Sequence, residues 1–238
     1  VYFTYDASGQ RVRKVWDKTS ALRDERIYLG GYEVFRESTV LGGVAAVQIE
    51  RQTLHVMDDT RRIAMVETKT VSGGLPVTTP VSRQRYQIGN QLDSVSIEVT
   101  EAAAIISYEE TFPFGATSFH SQDGSIDVSA KRFRYTGKER DEETALYYYG
   151  ARYYAQWLGR WTAADPKTLA GGDSDLNVYA YVANRTIIAV DRAGRDFDVI
   201  ITPTSITVKA DFDVRGSASE VDAIRSQVAD KFRSGAFT

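Results

Sequence analysis

The chain contains no cysteine. That absence excludes disulfide staples, a thiolate nucleophile and any Cys-ligated metal centre. Histidine is nearly as scarce: His55 and His120 are the two copies, far apart in sequence. No His-x-x-x-His pair can therefore offer zinc two ligands from one helix face, and neither a metal nor another cofactor is expected. No apolar run approaches the length that crosses a bilayer, and the opening Val1-Tyr2-Phe3-Thr4-Tyr5-Asp6 has nothing of a signal peptide. An excess of positive charge is missing too. Net charge is −3 and the pI is near 5.5, so a global basic field for nucleic acid is absent.

What is present is an ordinary globular balance, 42% hydrophobic and 26% charged, which excludes wholesale disorder. Against five prolines stand 14 tyrosines and 10 phenylalanines. Tyr, Phe, Val, Ile and Thr suit pleated, half-buried surfaces, so the composition leans towards β structure.

Turn signals break the first part of the chain into short strands. Ile27-Tyr28-Leu29 and Tyr32-Glu33-Val34-Phe35 flank Gly30-Gly31, which predicts a hairpin. Further strands are expected at Thr53–Met57, Arg62–Glu67, Arg85–Ile88 and Ile105–Glu109, and Val95–Val99 alternates apolar and polar in strict period two. Little helix is expected before residue 130. Pattern alone fits an extended antiparallel sheet, and a sandwich or barrel as well.

From Arg132 to Arg195 the texture changes. Tyr135, Tyr147, Tyr148, Tyr149, Tyr153, Tyr154, Tyr179 and Tyr181 crowd together with Trp157 and Trp161, interleaved with arginines. Aromatic–basic interleaving can bind single-stranded nucleic acid. Glu139, Asp141, Glu142 and Glu143 cancel a basic stripe, however, so a packed Tyr–Arg core is the better reading. After Asp196 the texture changes again. Strands are expected around Pro203, and Ser217-Ala218-Ser219-Glu220 is a capping box leading the stripe Val221, Ile224, Val228 and Phe232. A helix to about Phe232 is predicted, opening a small α+β C-terminal domain. Both chain ends read as cuts through a larger polypeptide. Asp173-x-Asp175, Asp196-x-Asp198 and Asp211-x-Asp213 lack a calcium-loop pattern and read as solvated turns or strand faces, and Asn184-Arg185-Thr186 reads as a chance sequon.

Three segments carry a resemblance. Tyr5-Asp6-Ala7-Ser8-Gly9-Gln10-Arg11-Val12 is similar to the YD repeat. Arg134–Asp141 with Leu146–Tyr154 resembles the RHS-repeat-associated core, which Gly159-Arg160-Trp161, Asp165-Pro166, Asn177–Asn184 and Asp191-Arg192-Ala193-Gly194 complete. Leu54–Asp59 and Tyr86–Leu92 are similar to the C component of insecticidal Tc toxin complexes.

The resemblance implies a mainly β fold, with a YD/RHS sheet spiralling into a hollow shell that the core closes. Expected divisions are 1–130 for the shell, 131–195 for the core and 196–238 for the start of a variable toxic effector. It further implies that this effector is enclosed as cargo, that a B component closes the shell, that an A-type pore delivers it, and that the whole is secreted or delivered to a target cell. Last, it implies an aspartyl self-protease made by Asp165 and Asp191, with a nearby arginine, here expected to be Arg160, and a cut between Arg195 and Asp196. Arg192 and Arg195 stand where the family usually has Pro and Leu or Met. Read without the resemblance, Asp165-Pro166 and Asp191-Arg192-Ala193-Gly194 are turns. A non-cleaving, structural or adhesive YD-repeat module is the alternative.

Overall fold

The computed structural model describes residues 1–59, 61–166 and 177–195, and the backbone of 198–199. The capped helix expected up to Phe232, the α+β domain and Asp196 of the expected cut lie outside the described residues.

Eleven strands form one antiparallel sheet. They are β1 (Tyr2–Tyr5), β2 (Arg11–Thr19), β3 (Leu22–Leu29), β4 (Tyr32–Leu41), β5 (Val44–Asp58), β6 (Arg61–Ser72), β7 (Leu75–Pro76), β8 (Ser82–Gly89), β9 (Val95–Val99), β10 (Ile105–Thr111) and β11 (Thr117–Gln122). Each pairs with its neighbour in sequence, except that the short β7 pairs only with the end of β6, and β6 goes on to pair with β8. Among the described residues the period-two strands thus lie side by side in one meander, not in two packed sheets.

Short turns set this order, because they leave a strand nowhere to go but beside its predecessor. At Gly30-Gly31, Leu29 faces Tyr32 across a two-residue turn and Gly30 has φ +67°, where a Cβ would be strained. The pairings slip at Glu37/Ser38, Glu50/Arg51 and Val56/Met57. Such bulges bend a strand and raise its local twist.

One side of the sheet is not apolar. Arg26, Glu33, Thr53, Glu67, Arg85, Gln87, Glu98, Ser107 and Glu109 are all buried. Buried charge is tolerable only when paired, and the segment from Lys131 to Asp141 supplies partners. Arg132 reaches both Glu33 and Glu139. Arg11 donates to Glu139 at 2.8 Å and to Asp141 at 2.7 Å. Lys131 and Arg134 hold Glu109 at 3.1 and 2.8 Å. An ionic seam therefore joins the sheet to the segment after it.

Beyond the seam lies a second, four-stranded sheet: β12 (Glu139–Arg140), β13 (Tyr147–Tyr148), β14 (Tyr153–Ala155) and β15 (Arg160–Trp161). Its core is aromatic, made chiefly by Tyr135, Tyr147, Tyr149, Tyr154, Trp161 and Tyr181. Tyr154 and Tyr181 are centred 4.4 Å apart, and Trp161 stands edge-on to Tyr149 at 5.0 Å. Burying tyrosine requires a partner for each hydroxyl. The β10–β11 turn provides three, since Tyr135, Tyr154 and Tyr147 donate to the carbonyls of Pro113, Phe114 and Gly115. Tyr149 and Tyr181 hydrogen-bond each other at 3.1 Å. A last pair, β16 (Ala189–Val190) with β17 (Asp198–Val199), closes the described chain.

Candidate self-cleavage site

Asp165 and Asp191 are distant in sequence, and the fold brings them to one guanidinium. The segment after Asn177 runs back along β15: Trp161 N–H donates to Tyr179 O at 3.0 Å, and Asp165 N–H donates to Val178 O at 3.1 Å. Buried Tyr181 and Val182 then carry the chain to β16 and Asp191.

The cation between the two carboxylates is Arg152. Its Nη1 lies 2.9 Å from Asp165 Oδ2, and its Nη2 donates to Asp191 Oδ2 at 3.2 Å. Arg160, expected in this place, is exposed on β15. The reason is strand geometry: neighbours in a strand face opposite ways, and Trp161 occupies the aromatic core. Arg152 follows the Gly150-Ala151 turn, and its guanidinium lies 4.2 Å from the centre of the Trp161 ring. The two carboxylates share this arginine.

Asp191 is 2% exposed and organises the loop after it. Its Oδ1 accepts from the N–H groups of Ala193 (3.1 Å), Gly194 (2.7 Å) and Arg195 (3.2 Å). The loop carbonyls are held as well. Arg192 O accepts from Lys138 Nζ, Ala193 O from Ala151 N–H, and Gly194 O from Arg152 Nε at 2.7 Å. Gly194 has φ +70°, and a Cβ there would come within 2.9 Å of Arg152 N, so glycine is required.

Burial pushes the Asp191 carboxyl above its ordinary value, against the pull of the loop N–H groups and Arg152. Burial likewise pushes the Lys138 ammonium down to about 8. Asp165 is more open, its side chain 22% exposed. A cavity of about 1210 Å³ reaches Pro166, Lys138, Arg192 and Arg195, with room for water beside the loop.

Sequence reasoning placed Asp165, Asp191 and Arg195 in one locality but missed Arg152, Lys138 and Asp93. Asp93 lies in the β8–β9 turn, with Oδ2 at 3.2 Å from Arg192 Nη1. Arg152 had one legible signal: it follows a glycine turn in the tyrosine-rich segment and, unlike Arg160, has no core tryptophan beside it.

No protein-family model matches the chain. Among curated proteins it is 35% identical over 195 residues to toxin subunit YenC2 of Yersinia entomophaga, covering 81% of this chain and 19% of that protein. It is 33% identical over 198 residues to toxin subunit YenC1 of the same organism, with the same coverage. Among solved structures, the crystal structure of TcdB2-TccC3 matches with TM-score 0.67 and 31% identity, over 81% of this chain and 9% of that one. The chain spans about a fifth of the length of these curated relatives. Strand order, the aromatic core and these likenesses agree: the chain is an RHS/YD-repeat polypeptide with an RHS-repeat-associated core, similar to the C subunit of Tc toxins.

Proposed function

We propose that this chain supplies the closing part of an RHS toxin shell and cuts itself between Arg195 and Asp196. What carries the reading is the arrangement of two aspartates on one arginine, with the loop that ends at Arg195 hydrogen-bonded to one of them. In this reading the more exposed Asp165 takes a proton from water. Asp191, which burial pushes up against the pull of Arg152 and the loop N–H groups, is the partner carboxyl, and a proton shared between the two acids polarises the Arg195 carbonyl. Water adds to that carbonyl, the C–N bond breaks, and the amine of Asp196 leaves with a proton. The products are a new carboxylate on Arg195 and a new N-terminus on Asp196. Arg152 is the positioning cation, the role that the resemblance leads one to expect of Arg160. Because substrate and catalyst are one chain, orientation is supplied in advance by the loop hydrogen bonds.

The same reading divides the chain into shell (1–130), core (131–195) and the start of an effector cargo (196–238). Enclosure of that cargo, closure by a Tc-type B component, passage through an A-type pore and delivery out of the producing cell belong to it. Denaturing electrophoresis of the full chain tests it. Two stable pieces are expected, with the smaller beginning at Asp196. Asp165→Asn and Asp191→Asn should each leave one piece, while Asp58→Asn, at the exposed end of β5, should cut normally. The rival reading, a non-cleaving structural or adhesive module, draws on the hydrogen bonds that hold the loop, which also suit a permanent turn. A single uncut band in the wild type would establish it.

A further inference from the structure

The loop from Asp191 to Arg195 is gripped on one side by its own carboxylate, Ala151 and Arg152. On its other side Lys138 holds the Arg192 carbonyl. The large sheet also reaches it, through the ion pair of Asp93 with Arg192 at 3.2 Å.

Asp93 is well placed for such a task. It lies in the left-handed region at φ +62° within a turn that Asn90 fixes. Asn90 Oδ1 accepts from Leu92 N–H and Ser94 N–H, and Asn90 O accepts from Asp93 N–H. That turn is itself docked on the core: Thr136 N–H donates to Ser94 Oγ, and Val95 N–H to Arg134 O. The two oxygens of Asp93 divide their work. Oδ1 faces Arg61 Nε of β6 at 3.4 Å, and Oδ2 faces Arg192. Arg192 has no ring to fix its φ, so a side-chain tie can limit the conformations open to it.

We infer that Asp93 is a positioning residue for self-cleavage: through Arg192 it holds the 191–195 loop against the β8–β9 turn, tying the cut to a folded large sheet. The inference rests on the proposed self-cleavage. The Arg192 side chain is 37% and that of Asp93 18% exposed, so the pair is screened by solvent and its effect is modest.

The test measures cleavage rate in the full chain. Asp93→Asn should slow the cut by about 2- to 5-fold, the range of a partly exposed ion pair. Arg192→Ala should do the same, and Asp93→Asn with Arg192→Ala should be no slower than either alone. Added salt should slow the wild type towards the Asp93→Asn rate and leave that variant unchanged, a response that a merely structural defect would not give. A second readout does not need the cut. In uncut Asp165→Asn chains, Asp93→Asn should speed amide exchange at Ala193 to Arg195. Wild-type cleavage at an unaltered rate in Asp93→Asn, additive effects of the two substitutions, or unaltered exchange would overturn the role of Asp93. A wild type that never cuts removes the self-cleavage reading and this role with it, whereas a chain that cuts but ignores Asp93 removes only the role.

Discussion

The seam between sheet and core makes a quantitative demand on Glu139. Its carboxylate accepts from Arg11 Nη2 at 2.8 Å, from Arg132 Nη1 at 2.5 Å and from Tyr28 OH at 3.1 Å, with Lys14 Nζ at 4.0 Å. Glu139→Gln keeps the shape and removes the charge. Two buried guanidiniums then each lose a counter-charge, and the new amide presents N–H groups to donors. Breaking a buried pair costs about 3–5 kcal/mol. Arg11 keeps Asp141 and Arg132 keeps Glu33, so the lower end, about 3 kcal/mol, is expected here. For a chain of 238 residues that lowers the melting temperature of the sheet signal by about 6–12 °C at neutral pH.

The pH dependence separates this account from a packing defect. Burial alone would raise the Glu139 pKa, but Arg132 and then Arg11 overcome it and hold the carboxyl well below its ordinary value. A folded-state value below the unfolded one means stability that is present above about pH 4.3 and lost as pH falls towards the folded value. The glutamine has no such contribution to lose. The gap between wild type and variant should therefore narrow by about 1.4 kcal/mol for each pH unit below about 4.3. Thermal melts followed by circular dichroism from pH 7 to pH 3 measure it. A melting temperature within about 1 °C of wild type at pH 7, or a gap that ignores pH, would refute the reasoning.

Two further outcomes are expected. Gly115→Ala should cost about 3 kcal/mol, since Gly115 has φ +85° and an added Cβ would stand 2.4 Å from Tyr135 Cγ; an unshifted denaturant midpoint would contradict it. Arg152→Lys should abolish self-cleavage, because one ammonium cannot span both carboxylates as the guanidinium does, whereas Arg160→Ala should cut at the wild-type rate; electrophoresis of both variants decides, and the reverse result would return the cation's role to Arg160.

The hairpins were legible because their determinants are local. Gly30-Gly31 between two β-rich runs fixes the β3–β4 register with no knowledge of the rest. Strand lengths were less legible: β5 begins at Val44, well before the expected Thr53, because Val44-Ala45-Ala46 carries no alternation to mark it. β2, with Arg11, Arg13 and Lys14 among its residues, looks too charged for a buried strand face until its partners Glu139 and Asp141 are known.

The same non-locality explains the misplaced cation. Arg160 is the arginine nearest Asp165 in sequence, and proximity in sequence is a sound guide only within one turn or one strand face. Asp165 and Asp191 come to one guanidinium because an aromatic core packs β13, β14 and β15 against Tyr181, an arrangement set by ring edges and hydroxyl partners across long separations. The residue that reaches the meeting point is the one whose neighbours leave its side chain free to point inward, and a tryptophan already holds that direction beside Arg160. In a tyrosine core each inward hydroxyl needs a stated acceptor, so the β10–β11 turn, the core and the loop at Asp191 must fit together at once. A site built on such a core inherits its precision from contacts that no single stretch of the chain contains.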